Sequence, residues 1–185
     1  MKEKLMIDMD DVITTGGFLY LINEFLGTDY KQEHFKKYYM QDIIDNKDMF
    51  FKWFLSQNIY DHCEMLPNCY ESLQELNEYY DIFIATTYIY PEITYQSGHI
   101  LHQKFDYLKS HLSFIKPSKY IFLSDKSVLD FPIKIDDKIE NLKNARRKIL
   151  FSAYHNLELS NTELSNKGIE RAADWNDVKV KLLKR

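Results

Sequence analysis

Six residues with usable chemistry sit at the ends of short apolar runs. Asp8 and Asp10 follow Leu5-Met6-Ile7, and Asp136-Asp137 follow the run Ile133 to Ile135. A single Asp in such a place is ordinarily a helix cap or a turn residue. Clustered acids at the carboxyl ends of two parallel strands are different, because they converge on the edge where open α/β sheets place ligands. Left unpaired they repel each other, and a hard divalent cation, Mg²⁺ by preference, removes that repulsion through oxygen ligands. Thr86 ends the run Ile82 to Ala85, and Lys126 lies just beyond Tyr120 to Leu123. Alone, Thr86 reads as a cap and Lys126 as a solvated lysine. Beside the acids they supply a hydroxyl donor and a fixed cation, suited to an anionic phosphoryl group.

Strands must hold these positions, and the apolar runs fit. Lys4 to Asp8, Asp81 to Ala85, Tyr120 to Leu123, Ile133 to Ile135 and Ile149 to Phe151 are each too short for a helix and suit strands buried on both faces. Between them, Asn68 to Tyr79 opens after Pro67 with Asn68 as N-cap and Glu71 three residues on. Ile139, Leu142 and Ala145 recur at helical spacing, and Trp175 to Leu183 follows Asp174 as a terminal helix. Strands alternating with helices predict a three-layer α/β fold on a parallel sheet. The exception is residues 13–66, too long for a plain loop. Helices are expected there at Phe18 to Leu26, Gln32 to Met40 and Lys47 to Ser56. The chain therefore divides into a catalytic core, 1–12 and 67–185, and a small helical cap, 13–66.

Composition narrows the partners. With 185 residues, 45% hydrophobic and 28% charged, the chain can bury a core and is not disordered. Its 24 basic and 28 acidic residues, a net charge of -4, oppose a nucleic-acid polymer as partner. No apolar run approaches the ~18 residues of a membrane helix, and Met1 to Leu5 lacks the apolar stretch of a secretory signal. Cys63 and Cys69 are the only cysteines, which fits two reduced thiols packed in a cytoplasmic protein. A homodimer is compatible with all of this.

The order of acids, hydroxyl, lysine and acidic pair resembles the haloacid dehalogenase superfamily of aspartate-dependent phosphohydrolases. Asp8-Met9-Asp10-Asp11-Val12 is similar to its first motif, Thr86 to its second, Lys126 to its third and Asp136-Asp137 to its fourth. Asp125-Lys126-Ser127-Val128, Ile135-Asp136-Asp137, the stretch Ile149 to Asn156 and the late Trp175 resemble the 5'(3')-deoxyribonucleotidase family more closely. That family, too, carries a helical cap between the first and second motifs. Two positions depart from it: Asp11 stands where Gly is frequent, and Thr87-Tyr88 replaces a Ser-Pro pair.

The resemblance implies a Mg²⁺-dependent phosphomonoesterase acting on deoxyribonucleoside monophosphates. In it Asp8 is the nucleophile and forms an aspartyl-phosphate, and Asp10 is general acid and then general base. Mg²⁺ is held by Asp8, the Asp10 carbonyl and Asp137, with Asp136 behind them, while Thr86 and Lys126 bind the phosphate. The aromatics Phe18, Trp53, Phe54 and Tyr60 of the cap either stack on a nucleobase or form the cap's own core. His155 is expected to hydrogen-bond structurally, and Lys31, Lys36 and Lys37 to face solvent. A response-regulator receiver uses similar residue types but carries its acidic pair on the first strand and its phosphorylated Asp later. The remaining alternatives are a phosphatase of the same superfamily with another small phosphomonoester and a non-catalytic phosphate-binding relative.

Overall fold

The computed structural model describes residues 1–183. Strand β1 (Glu3–Ile7) is followed by the short β2 (Thr14–Thr15), helices α1 (Gly17–Leu26) and α2 (Lys47–Phe54), the short β3 (Glu64–Met65) and helix α3 (Cys69–Tyr79). Then come β4 (Tyr80–Thr87), α4 (Gly98–His111), β5 (Tyr120–Leu123), β6 (Phe131–Asp136) and β7 (Ala145–Phe151). Helix α5 (Asn161–Asn166), β8 (Ile169–Ala172) and α6 (Trp175–Leu183) follow as the last elements of the described residues. Six strands form one parallel sheet in the order β5-β4-β1-β6-β7-β8, the α/β architecture expected. The chain runs outward from β1 to β5 and then returns to the other side of β1. Its direction therefore switches between β1 and β6, which opens the crevice that doubly wound sheets use for ligands.

Register makes the strand ends level. Ile7 pairs with Ile84 on one side and Ile135 on the other. The Asp8 amide extends the ladder by donating to the Ile135 carbonyl at 3.0 Å. Residues one or two past these pairs, namely Asp8, Thr86 and Asp136, thus emerge at one edge. Alternation along the strands sorts the core. Leu5, Ile7, Ile149 and Phe151 pack with Leu73 of α3, Leu108 of α4 and Trp175 of α6, while Leu150 turns to the opposite face against Leu164 of α5.

Between β1 and α3 the chain leaves the sheet. β2 and β3 pair antiparallel, Thr14 with Met65, and join the entry and exit of this segment in a small ribbon. Its interior is aromatic: Phe18, Phe25, Phe50, Phe51, Trp53 and Phe54 lie ring against ring. Gly17 is required by close approach, because a Cβ there would fall 2.5 Å from both the Cys63 Sγ and the Ile59 carbonyl.

Three local expectations fail for identifiable reasons. Gln32 to Met40 is not a helix; only Gln32–His34 makes a 3-10 turn. Phe35 and Met40 are the only buried residues of that stretch, and a five-residue spacing gives a helix no single face to dock. Asn68 precedes α3 in the left-handed region, φ 60°, and its side chain makes no cap hydrogen bond. Ile139 to Ala145 forms a 3-10 turn over Ile139–Leu142 and then enters β7. There the Lys134 Nζ takes the Asn141 and Lys143 carbonyls at 3.1 and 2.5 Å, acceptors a continuing helix would need.

Candidate active site

The edge prepared by register holds a chain of charges. Lys126 Nζ lies 2.6 Å from Asp8 Oδ2 and 2.7 Å from Asp136 Oδ2, with all three residues buried. The other Asp8 oxygen accepts from the Met9 amide at 2.7 Å. Asp136 Oδ1 accepts from the Lys138 amide and the Asn141 side chain, which fix its plane. Burial pushes the Asp8 carboxyl up to about 6; Lys126 pulls against this rise, while Asp136 and Asp10 add to it. Asp136 is raised to about 6 in the same way, with Lys126 opposing and Asp137 adding. Burial disfavours the Lys126 ammonium, yet Asp136, Asp8 and Asp137 hold it above the usual lysine range.

Asp137 is held from behind. Its Oδ2 lies 2.7 Å from His155 Nε2, and its carbonyl accepts from the Asn156 side chain at 2.9 Å. Asn156 is in turn gripped by Arg171. Burial raises the Asp137 carboxyl, the His155 hydrogen bond lowers it, and the Asp8 charge raises it again. Oxygens of Asp8, Asp136 and Asp137 lie within 4.8 Å of one another, and Asp11, Asp137 and His155 form a second such group. The all-oxygen group suits a hard cation by donor chemistry, and two lysines, Lys126 and Lys104, face five carboxylates here. Asp11 has φ 55°, a left-handed conformation that Gly adopts freely and Asp tolerates better than most residues, which accounts for acid in place of Gly. The loop carrying it is pinned by Trp175, whose Nε1 donates to the Val12 carbonyl at 2.7 Å.

Asp10 has a partner on each oxygen. Tyr60 OH donates to Oδ1 at 2.7 Å, and the Lys104 ammonium pairs with Oδ2. Lys104 also donates to Thr86 Oγ1 at 2.7 Å. Thr86 therefore reaches the expected edge but is fully buried; Thr87, its neighbour, stands on the wall of the cavity.

That cavity is about 390 Å³ and opens over Asp8, Asp10 and Lys126. The volume falls in the range of small-molecule sites. Phe18, Tyr38, Tyr39, Tyr90 and Tyr154 line it together with Gln41 and Lys138. Of the four cap aromatics singled out in the sequence, Phe18 alone lines it. Phe54 is 1% exposed and spends its surface on Phe18, Phe50, Phe51 and Tyr90. Trp53 packs on Phe25 and Phe50, and Tyr60 is turned to Asp10. Of the two readings open for these rings, the positions of Trp53 and Phe54 fit packing within residues 13–66, and Tyr60 is the hydrogen-bond partner of Asp10.

Sequence reasoning missed Lys104 and the tyrosines. Lys104 had a signal: it interrupts an apolar stripe of Ile100, Tyr107 and Leu108 at helical spacing, so it had to face inward. Tyr38, Tyr90 and Tyr154 had none, since each lies in irregular chain. Tyr154 OH donates to the Tyr38 carbonyl at 2.7 Å, and Lys138 Nζ sits 3.8 Å over the Tyr38 ring.

The family described as 5' nucleotidase, deoxy (pyrimidine), cytosolic type C protein matches residues 2–184. A protein of Staphylococcus epidermidis provisionally named a 5'(3')-deoxyribonucleotidase is 26% identical over 182 residues, covering 96% of this chain and 94% of its own length. A 5'(3')-deoxyribonucleotidase of Clostridium acetobutylicum is 30% identical over 115 residues, 62% of this chain and 56% of that protein. Among solved structures, a haloacid dehalogenase-like hydrolase of Streptococcus pneumoniae superposes with a TM-score of 0.48 at 14% identity, covering 100% of this chain and 99% of that one.

Proposed function

Because the chain belongs to the 5' nucleotidase, deoxy (pyrimidine), cytosolic type C family, and so is a phosphomonoester hydrolase, we propose that it releases phosphate from deoxyribonucleoside monophosphates by covalent catalysis at Asp8. The observation that carries this reading is the Asp8–Lys126–Asp136 chain of charges with Asp10 beside it, at the floor of an aromatic-lined cavity. In the first step an Asp8 oxygen bonds to phosphorus as the bond from phosphorus to the sugar oxygen breaks, and Asp10 gives that oxygen its proton. In the second, Asp10 takes a proton from water, whose oxygen bonds to phosphorus and frees Asp8 and inorganic phosphate. Lys126 restrains the Asp8 carboxylate and, with Thr87 on the cavity wall, meets the non-bridging oxygens.

Asp8, Asp137 and the Asp10 carbonyl are the groups that would hold Mg²⁺, with Asp136 orienting Lys126 behind them. Bound there, Mg²⁺ offsets the charge of carboxylate and phosphate that opposes their approach. Residues 13–66 act as the cap over a core of 1–12 and 67–185, and Phe18, Tyr38 and Tyr90 meet the part of the substrate beyond the phosphate. An aromatic lining favours a planar base over a bare sugar, and two free thiols suit a cytoplasmic setting.

A phosphate-release screen tests the substrate. Deoxyribonucleoside monophosphates should exceed ribonucleotides and hexose phosphates in kcat/KM. Sugar phosphates outperforming every nucleotide would overturn the substrate while leaving the hydrolase standing.

A further inference from the structure

Lys104 is a charged side chain in a place that hides charge. It is 1% exposed on α4, and its stem lies among the apolar residues that dock this helix. An ammonium withdrawn from water must be compensated by partners on site. Its partners are the Asp10 carboxylate, the Thr86 hydroxyl at 2.7 Å and, 5.9 Å away, the face of the Tyr60 ring. Two of these belong to the strand-end edge and one to the segment above it.

The consequence for Asp10 is geometric. A carboxylate anchored at one oxygen still rotates about its last torsion. Asp10 is anchored at both, by Lys104 on Oδ2 and Tyr60 OH on Oδ1, so its plane is fixed. Each carboxylate oxygen carries two acceptor sites, which leaves one on each free for the reacting proton. The side chain of Asp10 is itself 45% exposed and would otherwise swing into the cavity.

We infer that Lys104 is a positioning residue for proton transfer at Asp10, tying the carboxyl that serves the leaving oxygen to Thr86 at the end of β4. This rests on the reading of Asp10 as general acid. Proton delivery matters in proportion to how poor the leaving group is. A sugar alkoxide needs the proton, whereas 4-nitrophenolate leaves without it. Removing Lys104 should therefore cost the first substrate and spare the second.

The experiment compares kcat/KM, which reports the steps through leaving-group departure, for a deoxyribonucleoside 5'-monophosphate and for 4-nitrophenyl phosphate. Lys104→Met keeps the unbranched shape without the charge; Lys104→Gln is the second variant, and thermal melting checks that each is folded. Asp10→Asn is the reference. With general acid–base catalysis contributing about 10²–10⁴-fold, each Lys104 variant should lose about tenfold or more on the nucleotide and less than about threefold on the nitrophenyl ester. Equal losses on both esters, or no loss on either, in a folded variant would overturn the positioning role. A leaving-group effect in Asp10→Asn without one in the Lys104 variants would overturn it alone. No such effect in Asp10→Asn would overturn the acid assignment beneath it.

Discussion

The floor of the cavity and its roof place their side chains by different means. On the floor, Asp8, Thr86 and Asp136 are set by backbone register: three strands end level, and the next residue of each can point to few places. Lys126, Asn141, His155 and Asn156 then lock the acids by hydrogen bonds and ion pairs. On the roof, α1 and α2 are held by ring-on-ring packing, and the tyrosines that reach the cavity come from irregular chain around them. Charge positioned by register tolerates no substitution, whereas aromatic packing trades stability against fit. Changes on the floor should thus remove catalysis and leave the fold, and changes in the roof should do the reverse.

Asp8→Asn gives the largest effect. It should lower kcat about 10³-fold or more, each tenfold being 1.36 kcal/mol of barrier, without lowering the melting temperature in EDTA. The sign follows from its carboxyl, raised in the folded protein from 3.8 to about 6. The folded state binds that proton more tightly than the unfolded chain, so ionised Asp8 subtracts stability as pH rises through this window. Asn removes the charge. A variant with wild-type turnover, or one that unfolds, would erase the distinction between floor and roof.

Phe54→Ala tests the roof from the other side. Deleting a fully buried ring should destabilise by about 3–5 kcal/mol, measured by denaturant unfolding. Turnover per folded molecule should stay near wild type for a nucleotide and a small ester alike, since Phe54 packs and does not line the cavity. A selective loss on the nucleotide would return it to the substrate's contacts.

Tyr154→Phe probes the join between floor and roof. It removes the hydrogen bond to the Tyr38 carbonyl, worth about 0.5–1.5 kcal/mol. KM for a deoxynucleotide should rise about twofold to tenfold with kcat held, and an unchanged KM would mean the roof is seated without this bond.

The smallest effect belongs to neither wall. Arg147 and Glu170 pair across neighbouring strands at 2.7 Å, half exposed. The Arg147 hydrogen bond holds the Glu170 carboxyl below its ordinary 4.5, so its contribution is present above that pH and lost as pH falls. A double-mutant cycle should give less than about 1 kcal/mol at neutral pH with activity untouched.

The same contrast explains what could be read from the sequence. Asp8, Asp136 and Asp137 were legible because a short apolar run fixes a strand, and a strand's end fixes its successor. Thr86 was legible as to edge but not as to surface, because its hydroxyl faces Lys104, a residue distant in sequence. Within residues 13–66, helical spacing located α1 and α2 within a residue or two. It could not say which ring faces the cavity, because Phe18 and Phe54 differ only in what packs against them. Tyr38 and Tyr154 meet through a backbone carbonyl, a contact that leaves no pattern in side-chain types.

The claim on which the rest depends is that this carboxylate edge hydrolyses a nucleotide monoester with a divalent cation. Phosphate release from a deoxyribonucleoside monophosphate, followed with Mg²⁺, after excess EDTA and after Mg²⁺ is restored, measures it directly. Turnover should be present in the first, absent in the second and recovered in the third. Undiminished turnover in excess EDTA would contradict it.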